Sequence, residues 1–436
     1  MIRPARVAVY GGGGSPFHHA SALAADGHLV EFVFPPDIRA GVLEGFDVFA
    51  MPGGAYRAML GHLEPLGPEG ARAIAKFVAG GGMFTGSCAG AYIAATVARS
   101  FVEACPFQPQ MQLTSARVWN EADGEFLGMQ SPGVGRIRVR TVVPDHPVMA
   151  GMPESFPITH YNGPFFSGGE ALLTVAGTET EFTPAERFLD RGGSARLMID
   201  SAVAEGVADL TVDRYGRGRV VLFGSHPEFG FSLGMDDDQA PVRMLRNAVR
   251  WQVAEAPNQR PHMRVRPGPG GDGRDPLEQA AELGARSRAA IDWLAARDDR
   301  PVWLQPAHAI HFFGLSASEI WRRSLALIPS YLAEVESTIG EVEPAVVHFR
   351  QPADETYDGG YHGVLALLEQ VARMLELARA NWALDPGRPS RNPYHLATSN
   401  PYHLVAGSYL SAAGRAVGAA LLCRSFRTAP AYAGHS

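Results

Sequence analysis

Up to about residue 254, the sequence alternates short apolar runs, bounded by glycine and proline, with segments of helical periodicity. This alternation is typical of parallel strands joined by crossover helices, so it predicts an α/β fold. Alternating apolar and polar residues in Leu113–Trp119 and Arg136–Val143 predict an antiparallel excursion from the sheet. The predicted parallel strands are Val7–Tyr10, Leu29–Phe34, Phe46–Ala50, Gly82–Thr85 and Val220–Phe223, and two predicted helices are Pro68–Val78 and Asp236–Val253.

The chain changes character at residues 256–276, a stretch rich in proline and glycine that cannot build an apolar core. Beyond it, long helical periods predict four helices, at Leu277–Arg297, Ser316–Ile339, Gly360–Trp382 and His403–Arg424. We therefore predict an α/β domain at 1–255, a Pro/Gly-rich linker at 256–276 and an all-α helical bundle domain at 277–436.

Composition excludes several classes of function. The 436 residues are 46% hydrophobic and 19% charged, as in globular proteins, and the net charge of −7 gives no footprint for nucleic acid. No apolar run is long enough to span a bilayer, so no membrane partner is predicted.

The only lysine is Lys76, which argues against Schiff-base or P-loop chemistry. Three scattered cysteines do not form a disulfide framework, and a cytoplasmic location is predicted.

The strongest chemical signal is the pentapeptide Gly86–Gly90, with Cys88 at its centre, between the strand Gly82–Thr85 and a predicted helix at Ala91–Ala98. It has the pattern Gly-x-nucleophile-x-Gly of a nucleophile elbow, in which small flanking residues are needed because the turn is tight. At a helix N-terminus, oriented N–H groups and the helix dipole favour a thiolate. The alternative is a buried structural cysteine in a glycine-rich turn.

A second element, His226-Pro-Glu228, follows the last predicted strand. In an extended segment, residues i and i+2 point the same way, so Glu228 can orient the imidazole of His226 toward a thiol. Together with Cys88, these residues predict a Cys-His-Glu triad. By itself, His-Pro-Glu is more often a surface turn.

Four motifs in order, at Met51–Gly54, Gly86–Gly90, His160–Pro164 and Gly224–Glu228, resemble the class I glutamine amidotransferase-like superfamily, and more narrowly the N-terminal domain of some biotin–protein ligases. The resemblance implies a flavodoxin-like parallel sheet with Cys88 as nucleophile, His226 as base and Glu228 as orienting acid. It also implies an oxyanion hole from the N–H groups of Ala89 and of Gly53 or Gly54, and a substrate pocket lined by Tyr161, Asn162 and Gly163.

Departures from the superfamily pattern narrow the expected chemistry. Ala91 and Tyr92 follow the elbow where glutamine-hydrolysing relatives place a histidine and a glutamine, which puts glutamine as substrate in doubt. The catalytic half of a biotin ligase has no counterpart, so biotin ligation is not predicted. The run Gly11–Gly14, including Gly12 and Gly13, offers backbone amides to an anionic or carboxylate group of a substrate.

The helical half resembles no family that we identify. It contains His308, His311, His348, His362, His395 and His403, which could gather a metal, but satisfied core or surface histidines are the commoner case. We predict no metal and no cofactor. Its tryptophans, Trp293, Trp303, Trp321 and Trp382, are expected as core or dimer anchors, and a homo-oligomer is left open.

Three functional hypotheses remain open. The first is a cysteine-nucleophile hydrolase or amidotransferase-like enzyme acting on a small amide or related acyl substrate. The second is a non-catalytic small-molecule-binding or regulatory module that keeps the fold. The third is a first domain that supplies ammonia to, or regulates, chemistry in the helical domain.

Overall fold

The computed structural model describes eleven stretches of the chain, at 3–14, 16–54, 59–121, 134–179, 195–229, 240–255, 274–297, 317–342, 344–348, 363–382 and 401–425. Most of the predicted linker at 256–276 lies outside these stretches, as do His308, His311, His362 and His395 and the side chain of His403. The predicted domain boundaries therefore stay predictions.

One mixed sheet contains the eleven strands of the described stretches. Their bounds are β1 Arg6–Tyr10, β2 Leu29–Val33, β3 Val48–Met51, β4 Met83–Ser87, β5 Arg117–Val118, β6 Val134–Thr141, β7 Ser155–Tyr161, β8 Phe166–Ser167, β9 Glu170–Thr178, β10 Ala208–Tyr215 and β11 Gly218–Phe223. Strands β1, β3, β4 and β11 are fully buried, as is typical of parallel strands covered on both faces.

Strand order divides the sheet into two parts. Strands β2-β1-β3-β4-β11 are parallel neighbours in that order, which is the flavodoxin-like arrangement when β11 is counted as the fifth strand. Strands β10, β9, β6 and β7 then continue the sheet with antiparallel pairing, and β5 and β8 pair beside it. The predicted α/β fold, parallel sheet and antiparallel excursion are confirmed.

Seven helices accompany the sheet in the described stretches, with bounds α1 Pro16–Ala24, α2 Pro35–Arg39, α3 Leu60–Ala79, α4 Ala89–Tyr92, α5 Arg99–Ala104, α6 Ala195–Glu205 and α7 Ala240–Glu255. Helix α3 is longer than the predicted Pro68–Val78. Two prolines interrupt its apolar pattern, and the chain is kinked between them at Gly67, whose φ of 62° and ψ of 179° are not helical. Short 3₁₀ helices occupy Val42–Gly45, Gln108–Met111, Pro147–Met149 and Ile339–Glu341.

The helix predicted at Ala91–Ala98 is wrong in length. Helix α4 ends at Tyr92, after a single turn, and a turn follows. The backbone of Thr96 instead pairs with β5, since its N–H donates to the carbonyl of Ala116 at 2.9 Å. The amide of Gln108 donates to the carbonyl of Ile93 at 3.0 Å, which satisfies an acceptor that a longer helix would have used. A one-turn helix has little macrodipole, so the helix dipole contributes little to stabilising a thiolate at Cys88.

The described stretches after residue 273 contain five further helices, with bounds α8 Pro276–Ala295, α9 Ala317–Thr338, α10 Pro344–Val347, α11 Val364–Asn381 and α12 Pro401–Ser425. Helix α12 packs against α9 and α11, and α8 packs against α11, which confirms a helical C-terminal region. The carboxylate of Asp275 caps α8 by accepting from the N–H of Leu277 at 3.1 Å. Helix α12 also contacts α1 and β2, so the apolar core is continuous between sheet and bundle.

Within the described stretches, none of the helices combines the length and the apolar character needed to cross a bilayer.

Candidate active site

Cys88 lies at the junction of β4 and α4, in a strained backbone conformation. Its φ of 50° and ψ of −116° belong to a region that side-chain-bearing residues rarely adopt. Its N–H donates to the carbonyl of Phe223 at the end of β11, at 2.9 Å, which fixes the turn against the neighbouring strand. Strain of this kind persists only where the surrounding structure enforces it, and it is common at nucleophile elbows.

The two flanking glycines are required by close backbone approaches. A Cβ added at Gly90 would lie 2.2 Å from the carbonyl oxygen of Met51 in β3, and one at Gly86 would lie 2.6 Å from the carbonyl carbon of Gly90. Real Cβ atoms do not come this close to a backbone. The small residues of the elbow are therefore set by the packing of β3, β4 and α4.

His226 and Glu228 follow β11 and are almost completely buried. The Nδ1 atom of His226 lies 2.8 Å from Oε1 of Glu228. The same carboxylate oxygen accepts a hydrogen bond from the hydroxyl of Ser87 at 2.8 Å. The N–H of His226 donates to the carbonyl of Thr159 in β7 at 2.9 Å. The segment His226–Glu228 is therefore hydrogen-bonded to β7 and, through Ser87, to β4.

Cys88 and His226 both lie against Gly53. A Cβ added there would lie 2.8 Å from Cβ of Cys88 and 2.4 Å from Cε1 of His226, so both residues border the same glycine. In this arrangement the thiol of Cys88 donates to the carbonyl oxygen of Tyr161, with the sulfur 3.2 Å from the oxygen. The structure thus brings Cys88, His226 and Glu228 to the carboxyl ends of the parallel strands, where open α/β sheets bind their ligands.

The electrostatics of the site strengthen His226 as a base and keep Glu228 ionised. Burial alone would lower the pKa of His226, but the carboxylate of Glu228 and the sulfur of Cys88 outweigh it and raise the pKa well above its ordinary value. Burial would raise the pKa of Glu228, but the imidazoles of His19 and His226 outweigh it and lower the pKa. His226 is therefore a strong proton acceptor, and Glu228 is a carboxylate at neutral pH.

Two of the predicted oxyanion-hole residues border Cys88, namely Ala89, which follows it in sequence, and Gly53, where an added Cβ would lie 2.8 Å from Cβ of Cys88. Ala89 is the first residue of α4, and N–H groups of a first helical turn have no partner inside the helix. Gly54 follows Gly53 in a left-handed conformation with φ of 72°, which turns the loop after β3. The role of Gly53, Gly54 and Ala89 as an oxyanion hole stays a prediction.

The predicted pocket residues Tyr161, Asn162 and Gly163 form a turn beside the thiol. The ring of Tyr161 stands edge-on to that of His226, with centroids 6.1 Å apart, and Asn162 has a positive φ of 50°. A Cβ at Gly163 would lie 1.9 Å from the carbonyl oxygen of Gly224, so this glycine is required by packing. The turn lies beside Cys88, and its role in lining a substrate pocket stays a prediction.

The glycine run of residues 11–14 reaches the site through its last member. A Cβ at Gly14 would lie 2.4 Å from the carbonyl oxygen of Gly54. A Cβ at Gly12 would instead lie 2.6 Å from the hydroxyl of Tyr10, and one at Gly13 would lie 3.1 Å from the carbonyl oxygen of Gly61. Gly12 and Gly13 therefore pack against neighbours outside the triad, and their role toward a substrate stays a prediction.

Several residues of the site were not identified from the sequence. The ring of Phe229 stacks on that of His226 with centroids 3.8 Å apart, and the ring of His18 lies 5.0 Å from that of Phe229. Nδ1 of His19 lies 3.7 Å from Oε1 of Glu228. Two adjacent histidines directly after the glycine run were an available signal, and Ser87 stands inside the elbow itself.

Behind His226 lies a second buried polar chain. The hydroxyl of Ser225 donates to Oδ1 of Asp209 at 2.6 Å, and Nδ1 of His160 lies 3.0 Å from the same hydroxyl. Burial lowers the pKa of His160 to about 3 and raises the pKa of Asp209 to about 7. None of the three side chains is exposed, so they support the site from inside the fold.

Among the residues that the structure describes, no three His, Cys, Asp or Glu side chains are arranged to hold a metal ion.

Comparison with known proteins gives a partial match. Residues 44–120 match the family model described as biotin-protein ligase, N terminal, a segment that includes β3, α3, β4 and the elbow. No curated protein matches the sequence. Among similar solved structures is PurLQS from Thermotoga maritima, which is 16% identical with a TM-score of 0.36, over 58% of this chain and 99% of that chain.

Two other solved structures show the same partial coverage. Cytoplasmic protein STM3548 from Salmonella typhimurium is 12% identical with a TM-score of 0.33, over 57% of this chain and 98% of that chain. A β-galactosidase from Bacillus circulans sp. alkalophilus is 11% identical with a TM-score of 0.33, over 59% of this chain and 32% of that chain. Residues 44–120 are thus similar to the biotin–protein ligase N-terminal family, and this match and the order of the parallel strands are consistent with a class I glutamine amidotransferase-like domain.

Proposed function

We propose that the α/β part of the chain is a thiol-dependent hydrolase or amidotransferase-like enzyme acting on a small amide or related acyl compound. The observation that carries the proposal is the meeting of Cys88, on a strained elbow, with His226, which is paired to Glu228 at 2.8 Å. Residues far apart in sequence converge here in the arrangement of nucleophile, base and orienting acid.

In the first step, the thiol proton of Cys88 passes to Nε2 of His226, because Nδ1 is engaged by Glu228. The sulfur attacks the acyl carbon, and the oxyanion that forms is stabilised by the N–H groups of Ala89 and of Gly53 or Gly54. Collapse of the tetrahedral intermediate breaks the carbon–nitrogen bond. The imidazolium returns its proton to the leaving amine, which leaves a thioester on Cys88.

In the second step, water attacks the thioester with His226 as general base, and the free acid and the thiol are released. Glu228 stays ionised throughout and holds the imidazole in place. In an amidotransferase, the released ammonia would pass to a second centre, and the contact of α12 with α1 makes the helical part a candidate acceptor.

Burial of the thiol favours a small substrate. Cys88 is only 6% exposed, so little space is open to a compound that approaches the sulfur. Free thiols at Cys88, Cys105 and Cys423 fit a reducing, cytoplasmic setting.

Selective alkylation tests the proposal. The full chain is treated with iodoacetamide, and modification of Cys88, Cys105 and Cys423 is followed by peptide mass spectrometry. All three cysteines are buried, but Cys88 is the most exposed at 6%, so His226→Ala is needed to separate activation by the imidazole from exposure. We expect Cys88 to react at least about tenfold faster than the others, and His226→Ala to abolish the preference. Equal rates at the three thiols contradict the proposal.

A second candidate function, a non-catalytic binding or regulatory module, has one observation in its favour. The thiol of Cys88 donates to the carbonyl oxygen of Tyr161, so its proton has an acceptor other than His226. If this arrangement persists when a ligand binds, the pocket binds without turnover. Equal alkylation of the three thiols would favour the module.

A further inference from the structure

Helix α1 presents two consecutive histidines to the candidate active site. Nδ1 of His19 lies 3.7 Å from Oε1 of Glu228, and the ring of His18 lies against Phe229, which stacks on His226. His19 has no exposed surface, and neither of its ring nitrogens has a hydrogen-bond partner among the described residues. Burying an imidazole without hydrogen bonds costs free energy of folding. A residue kept at such a cost is a candidate for a functional role.

His19 lies next to a buried carboxylate, that of Glu228, which is incompletely hydrogen-bonded. This carboxylate is buried, and its Oε1 receives Ser87 and His226, both at 2.8 Å. Its Oε2 is buried without a hydrogen-bond partner among the described residues. A buried anion needs compensation by nearby donors or positive charge. The imidazole of His19, on α1, is close enough to contribute to it.

We infer that His19 is a positioning residue of the triad, which keeps the Glu228 carboxylate ionised and oriented toward His226. This inference rests on the proposed function. At 3.7 Å the contact is longer than a hydrogen bond, so it acts through the polarity of the imidazole, which becomes a full charge when the ring is protonated. His19 does not touch the substrate in this scheme.

The titratable groups that face Glu228 come from two elements. They are His18 and His19 of α1 and His226 after β11, and Cys88 in turn faces His226. Of these, His18 and His19 are kept neutral near pH 7 because burial lowers their pKa. Loss of His19 therefore weakens the support of the carboxylate without removing a full positive charge at neutral pH.

The test uses His19→Leu, His19→Asn and His19→Gln in the full chain. The amide of asparagine takes the place of Nδ1, which faces Glu228, whereas that of glutamine takes the place of Nε2. The matched control is His28→Gln, because His28 is also buried but is paired to Asp26 away from the site. The alkylation rate of Cys88 is measured from about pH 5 to about pH 9, together with the melting temperature of each variant.

For His19→Leu we expect a roughly tenfold slower reaction of Cys88 near pH 6 and an upward shift of the half-maximal pH by about one unit. His19→Asn is expected to restore the profile of the unmodified protein, and His19→Gln is not. If His19→Leu does not fold, the comparison of asparagine with glutamine decides by itself.

Two results overturn the inference. One is an unchanged pH profile in folded His19→Leu, and the other is an equal loss in the asparagine and glutamine variants, which is what a purely structural role predicts. Failure of the proposed function gives a different result from failure of the His19 inference. If Cys88 of the unmodified protein reacts no faster than Cys105 and Cys423, the enzyme proposal fails before His19 is tested.

Discussion

The hydroxyl of Ser87 donates to Oε1 of Glu228 at 2.8 Å, although the two residues lie 141 positions apart in sequence. This bond joins the strand that carries the nucleophile to the segment that carries its base. Because the same oxygen also binds Nδ1 of His226, the elbow and the histidine are held in register through one carboxylate.

Ser87→Ala is expected to weaken both stability and reactivity. The variant leaves a buried carboxylate with one donor fewer, which costs about 1–3 kcal/mol of unfolding free energy. Urea denaturation measures that loss, and alkylation of Cys88 measures the loss of orientation. Ser337→Ala, at an exposed position, is the control and should change neither value. A stability and an alkylation rate equal to those of the control would show that the bond does not hold the carboxylate.

The elbow glycines are expected to tolerate no side chain. In Gly90→Ala, the new Cβ meets the carbonyl of Met51 at 2.2 Å, so we expect a loss of about 3 kcal/mol or failure to fold. Gly27→Ala is the control, because Gly27 has a positive φ of 86° but nothing within 4 Å, and it should cost only about 1–2 kcal/mol. Equal losses would mean that the turn has more room than the structure gives it.

Replacement of Cys88 should release backbone strain. At φ of 50° and ψ of −116°, glycine is free of the strain that alanine retains. Cys88→Gly is therefore expected to be more stable than Cys88→Ala by about 1 kcal/mol, despite the entropic cost of glycine in the unfolded chain. Thermal and urea denaturation of the two variants provide the comparison, and a more stable alanine variant would contradict a strained elbow.

Asp209 should make the stability of the protein fall as the pH rises. Its pKa is raised to about 7 by burial, so the folded state holds a proton that the unfolded chain loses near pH 4. Stability from this group is present below about pH 4 and is lost as the pH rises through about 7. Asp209→Asn cannot ionise, so its stability relative to the unmodified protein should increase between pH 4 and pH 7. A constant difference across this range would show that Asp209 is ionised in the folded state.

The sequence predicted those parts of the fold that have local signals. Apolar runs ending in glycine located the parallel strands, and the spacing around Cys88 and between His226 and Glu228 located the residues that the structure brings together. In each case the pattern reflects a steric or periodic requirement of the backbone, such as the contact of Gly90 with Met51.

Other features depend on contacts between distant segments and had no local signal. Helix α4 stops after Tyr92 because Thr96 pairs with β5, a partner some twenty residues further along the chain. The approach of His19 to Glu228 depends on where α1 crosses the sheet, which no spacing in the sequence encodes. The contact of α12 with α1 is of the same kind.

The pairing of Cys88 with His226 as nucleophile and base is tested most directly by trapping an acyl-enzyme. The full chain is mixed with p-nitrophenyl acetate, and intact-protein and peptide mass spectrometry follow the acetyl group over time. We expect one acetyl group on Cys88 that forms and decays in the unmodified protein, none in Cys88→Ala, and at least about a hundredfold slower formation in His226→Ala. Acetylation of Cys88 at the same rate with and without His226 would contradict a catalytic pair.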